Sequence, residues 1–94
     1  MQTDLNQIQD NKPVLRLNVK VSPNPCQGNF KIEGDDLIRQ CVVTVRNILG
    51  KPVFYVERPL QLPILVDITG SPAGVYFISA ECDTGFYYGK IELM

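Results

Sequence analysis

Residues 14–32, VLRLNVKVSPNPCQGNFKI, carry the decisive pattern. Leu15, Leu17, Val19 and Val21 alternate with Arg16, Asn18 and Lys20, which is the period of a strand with one wet face. Pro23, Asn24, Pro25 and Gly28 then punctuate the chain, and Phe30 and Ile32 restart the alternation. Each proline locks its own φ and pushes the preceding residue, Ser22 or Asn24, out of the helical region. A stiff corner between two strands follows, with an asparagine free to hydrogen-bond backbone nearby.

Outward from this stretch the same grammar repeats. CVVTVRN (41–47) alternates among strong strand formers. Leu49-Gly50-Lys51 reverses the chain, with Gly50 able to take positive φ at no steric cost. PVFYVE (52–57) begins on Pro52, which confines it to a strand start or an edge. ILVDI (64–68), VYFISAEC (75–82) and FYYGKIEL (86–93) complete the series, separated by TGSPAG and DTG. No stretch shows a helical period. Seven short strands without intervening helices predict an all-β domain: a seven-stranded antiparallel β-sandwich, immunoglobulin-like in architecture, with Greek-key connections. The chain has no tryptophan, so its core is expected from aliphatics with Phe30 and Tyr76. Residues 1–13, rich in Gln, Asn and Asp, read as a polar linker, and 14–94 as the domain. The last strand stops near the final residue, which predicts a position at or near a sheet edge, available for pairing.

Ninety-four residues make one small domain. A chain of this length buries roughly 60–65% of its unfolded surface, enough for one core and too little for a deep pocket. Nine basic residues against ten acidic ones give a formal charge of −1, and the cations are scattered, so nucleic acid is not an expected partner. No run approaches the about eighteen apolar residues needed to cross a bilayer. The first residues lack a secretory signal, so the chain reads either as cytoplasmic or as a piece of a longer exported precursor.

Catalytic and metal chemistry find little to work with. There is no histidine, which removes Ser-His and Cys-His nucleophiles. Cys26, Cys41 and Cys82 form no zinc-like spacing. Cys41 and Cys82 occupy strand positions and are able to bridge in an oxidising compartment, or to pack as small apolar thiols. Cys26 lies in a turn and is expected to be exposed. Glu33, Asp35, Asp36, Asp67 and Asp83 all sit in or beside turns. The first three form a solvated acidic loop, without the spacing of a calcium loop. GSPAG (70–74) precedes a strand, not the helix a phosphate cradle needs. The chain is expected to be neither an enzyme nor a cofactor binder.

Four segments, taken in order, resemble a known family. They are Pro23-Asn24-Pro25 with Gly28 and Phe30 after it, Leu49-Gly50-Lys51, Pro72-Ala73-Gly74-Val75-Tyr76, and Lys90-Ile91. The pattern over about residues 19–94 is similar to the type A C-terminal sorting domain of the type IX secretion system of Bacteroidota. That resemblance implies a signal that takes a passenger through the periplasm and the outer-membrane translocon to the cell surface or medium. In the family a sortase usually removes the domain, which places cleavage within residues 1–14, and attaches the mature protein to anionic lipopolysaccharide. Translocon and sortase components are the implied partners. Recognition is assigned on this basis to Pro23, Asn24, Pro25, Gly28, Leu49, Gly50, Lys51, Gly74, Val75, Tyr76, Lys90 and Ile91. Two other readings stay open. One is a retained envelope module that binds a sensor or assembly partner by strand addition at its sheet edge. The other is a glycan-binding sandwich using Tyr55, Phe86, Tyr87 and Tyr88, set against the expectation that Tyr87 and Tyr88 face opposite sides.

Overall fold

Period-two alternation becomes two-faced strands wherever one face finds a core. In the computed structural model, which describes residues 15–34, 41–57, 63–82 and 85–94, every element is a strand. These are β1 Leu15–Arg16, β2 Lys20–Ser22, β3 Asn29–Glu33, β4 Cys41–Arg46, β5 Pro52–Glu57, β6 Ile64–Asp67, β7 Gly74–Cys82 and β8 Gly85–Leu93. They form a five-stranded sheet in the order β1–β8–β7–β4–β5 and a three-stranded sheet in the order β2–β3–β6. Successive strands change sheet at β1–β2, β3–β4, β5–β6 and β6–β7, whereas the proline-broken turn between β2 and β3 keeps both strands in one sheet. The linker 1–13 and the acidic residues Asp35, Asp36 and Asp83 lie outside the described residues.

Eight strands replace the expected seven because the run 14–21 is not one strand. Leu15–Arg16 pairs in parallel with Gly85–Phe86 in the larger sheet, and Lys20–Ser22 pairs antiparallel with Lys31–Glu33 in the smaller one. Between them Leu17 donates its N–H to Phe86 O at 2.7 Å and turns its side chain into the core, at 6% exposure. A strand that switches sheets closes one side of a two-sheet core, and alternation alone does not reveal the switch. The β1–β8 pair also makes the fold mixed rather than wholly antiparallel.

Both sheets contribute to a single core. Phe30 and Ile32 from β3 and Val66 from β6 cluster with Val43, Val45, Ile78 and Ile91 of the larger sheet, all buried. Each such side chain contributes about 1.5–3 kcal/mol on burial. Tyr76 is buried beside them. Cys41 stands opposite Cys82 in the β4–β7 ladder, with Cα atoms 4.1 Å apart, and the two form a disulfide. Cys26 is the free thiol, and contrary to the sequence reading it is buried, at 1% exposure. Its N–H bonds Glu92 O at 2.8 Å and its C=O accepts from the Met94 N–H at 2.9 Å, so the turn is laid against the last strand rather than held in water.

Candidate recognition site

The β4–β5 turn is built around one asparagine. Asn47 Oδ1 accepts the N–H groups of Leu49 at 2.9 Å and Lys51 at 3.0 Å. The Gly50 N–H returns to Asn47 O at 2.9 Å, and Gly50 supplies the φ of 84° that the reversal needs. The effect is to hold two large apolar side chains in solvent: Ile48 is 73% exposed and Leu49 87%. Such exposure on a rigid support suits docking rather than folding. The turn borders a groove of about 320 Å³ whose other wall is Pro72, Val75 and Tyr76. Tyr76 is buried and donates its hydroxyl to Pro72 O at 2.5 Å, so it fixes that wall from inside.

The proline corner takes hold of the other end of the chain. Asn24 Nδ2 donates to Lys90 O at 3.1 Å, and Asn24 Oδ1 accepts from the Glu92 N–H at 3.1 Å. One carboxamide thereby occupies the two backbone positions that a neighbouring strand would pair. Farther along the same edge Arg16 Nη2 donates to Tyr88 O at 3.3 Å, beyond the β1 pairing. This corrects two expectations. The last strand is flanked by β7 and is capped on its outer side by Asn24, Cys26, Arg16 and β1, so its edge is not open for pairing. The Asn24 amide is engaged within the domain rather than turned outward. The physical reason is that a side-chain amide has the donor–acceptor spacing of a peptide group, so an exposed strand end competes for it.

Replacing Asn24 by alanine removes both bonds and is expected to cost about 1–3 kcal/mol. Urea unfolding and hydrogen exchange at the Glu92 amide check this. Asn24→Asp, which keeps the acceptor and loses the donor, should fall between, and equal exchange in all three proteins would refute the latch.

Register places the segments side by side. Gly74 pairs with Leu93 and Tyr76 with Ile91, and Cys26 bridges Leu93 from the other side. The order across one end of the larger sheet is therefore turn 47–51, segment 72–76, strand end 90–93 and corner 23–26. Exposed here are Pro23, Asn24, Pro25, Leu49, Gly50, Lys51, Gly74, Val75 and Lys90, whereas Tyr76 and Ile91 act from the core. Gly28 serves the smaller sheet. A Cβ there would stand 2.6 Å from Thr69 Oγ1, and its C=O accepts the Ile68 N–H at 2.8 Å. Sequence reading missed Asn47, Ile48 and Phe77, and quoted Pro72 in its segment without assigning it to recognition. Phe77 was within reach, since its neighbour Tyr76 was assigned to the core and alternation sends the next residue outward.

The aromatic and acidic candidates fall elsewhere. Tyr87 is half-buried against the core while Tyr88 is exposed, so the two do face opposite sides. Tyr88 stacks near Phe86, at 5.0 Å between ring centroids, and Tyr55 stands three strands away across the row Tyr55–Thr44–Ser79–Tyr88. Each phenol donates to a carboxylate, Tyr55 to Glu57 and Tyr88 to Glu81, and this bond raises its pKa. Glu33 pairs loosely with Lys31 at 3.8 Å. The hydroxyl and the N–H of Thr69 hold the Asp67 carboxyl below the usual carboxylate range. Among the described residues no three metal-ligating side chains gather.

The family model of the secretion system C-terminal sorting domain matches residues 20–93, from β2 to the last residue of β8. No curated protein matches the chain. A match that takes in all four segments of the composite end makes this chain a member of the secretion system C-terminal sorting domain family, a signal for export by the type IX machinery to the cell surface or medium.

Proposed function

We propose that the composite end of the larger sheet is the surface the outer-membrane translocon grips, and that the chain works by being bound rather than by catalysis. The observation that carries this reading is the convergence of four sequence-distant segments beside two exposed apolar side chains on a hydrogen-bonded turn. Leu49, Lys51, Val75 and Lys90 would meet the receptor. Asn24, Gly50, Gly74, Tyr76 and Ile91 hold them in place, and Gly28 supports the smaller sheet. A sortase then cuts within residues 1–14, ahead of the folded part. The Cys41–Cys82 disulfide supports passage through an oxidising space such as the periplasm.

Changing Ile48 and Leu49 together to serine should leave stability within about 0.5 kcal/mol and hold the passenger in the periplasm. Fractionation of producing cells with a thermal melt of the purified variant checks both halves. Export at the normal rate refutes the surface. Deleting residues 85–94 is a poorer test, because it removes a strand paired along its length with β7 and unfolds the domain.

A retained envelope module remains the second reading. With the last strand capped, strand addition on the larger sheet falls to its other edge, β5, which opens with Pro52 and carries Tyr55. Recovery of the uncleaved domain from the envelope, bound to one partner that Tyr55→Pro releases, would favour it.

A further inference from the structure

Resting on that reading, we infer the chemistry of the receiving surface: a protein face that presents carboxylates around an apolar projection. The groove between the two turns is lined by Asn47, Ile48, Leu49, Val53, Pro72 and Val75 among others, with no charged residue in its wall. Three cations flank the segments that line it. Arg46 pairs with Phe77 and Phe77 with Lys90, so two cations flank one exposed ring at the strand spacing of about 4.8 Å. Lys51 follows directly on the exposed Leu49-Gly50 turn. All three are exposed, and among the described residues none has a carboxylate within ion-pair distance.

Of the anions of this sheet, Glu92 shares the end, beside Val75, and the others lie at the far end. Glu57 and Glu81 both lie beside Val42, four residues up β4 from Arg46, or about 13 Å away. Arg16 at that far end is already engaged, bonding Tyr88 O and lying 5.8 Å from the Tyr87 ring. In a chain with net charge −1 the recognition end thus carries three cations against one carboxylate, Glu92, with which none of them forms an ion pair.

Two features favour a protein over anionic lipid. A lipid surface is held by clusters of about four to eight basic residues, and here three cations share the end with Glu92, which stands beside Val75. The apolar groove also asks for a shaped projection, which a headgroup plane does not offer. At about 320 Å³ the groove lies at the small end of the range of binding pockets, roughly 300–1,000 Å³. Carboxylates around it would steer docking and suppress partners of the wrong sign.

The test uses the 94-residue chain and membrane vesicles from the envelope of the producing cells. Binding is expected to weaken on the order of tenfold between about 0.05 M and about 0.3 M salt. Arg46→Gln with Lys51→Gln and Lys90→Gln should bind at low salt as weakly as the parent does at high salt. Arg46→Lys with Lys51→Arg and Lys90→Arg should bind like the parent. Salt-independent, undiminished binding by the glutamine variant overturns the inference. If the Ile48→Ser, Leu49→Ser variant still loses binding and export in that case, the recognition reading survives without it. Equal binding of the parent to protein-free vesicles of extracted envelope lipid also overturns it, in favour of lipid phosphate.

Discussion

Reducing the Cys41–Cys82 bond is expected to lower the unfolding free energy by up to about 4 kcal/mol. The two cysteines are 41 residues apart in sequence, and a loop of that length loses roughly this much chain entropy in the unfolded state when it is closed. A domain of this size has about 5–14 kcal/mol in all, so the loss would take much of its stability. Urea titrations of the oxidised chain, the reduced chain and the Cys41→Ala, Cys82→Ala double variant measure it directly. The reduced chain and the double variant should agree closely, since Cys26 is buried and takes no part in the bridge. Identical midpoints for oxidised and reduced protein would mean that no bridge forms. The consequence for sorting is that passengers exported from cells without disulfide formation should arrive in lower amounts, through unfolding rather than through loss of recognition.

Ile91→Ala is expected to cost about 2–5 kcal/mol, whereas Lys90→Ala beside it should change stability by no more than about 0.5 kcal/mol. Ile91 is wholly buried and pairs with Tyr76, also in the core, so truncation leaves a cavity among Val45, Ile78 and their neighbours. Lys90 points to solvent and touches Asn24 only through its carbonyl, which any residue supplies. Export should fail in both variants for different reasons, Ile91→Ala as an unstable protein and Lys90→Ala as a folded one. A Lys90→Ala protein that melts normally and is exported normally would remove Lys90 from the recognition surface. Thermal melts of the purified chains separate these cases from one another.

Much of this was legible along the chain. Val43 and Val45 are buried in β4 as their alternation predicted, although Thr44 between them is buried too, and Ile64 and Val66 are the buried residues of β6. Gly50 marked its turn correctly, because positive φ is a local demand that a residue type answers locally. Other features were hidden for a common reason. The break in the run 14–21 is set by which sheet offers a free edge, and the edge that takes Leu15–Arg16 is supplied by Gly85–Phe86, far along the chain. Cys26 read as exposed because turns usually are, and only the terminal strand laid against it covers it. Asn24 was expected to bond backbone nearby in the chain, whereas its partners lie 66 and 68 residues away, which the corner alone does not reveal.

Period, turn chemistry and the lack of histidine were enough, in the sequence alone, to make this an all-β chain without a Ser-His or Cys-His pair and to pick out four segments worth watching. That they meet was decided by tertiary structure. Backbone pairing is indifferent to sequence distance, so Cys26 bonds Glu92 and Met94 through the main chain, and with the Asn24 carboxamide it joins the first and last thirds of the chain into one surface. The side chains of that surface are ordinary. Their arrangement depends on strand register, and register is fixed by the core as a whole.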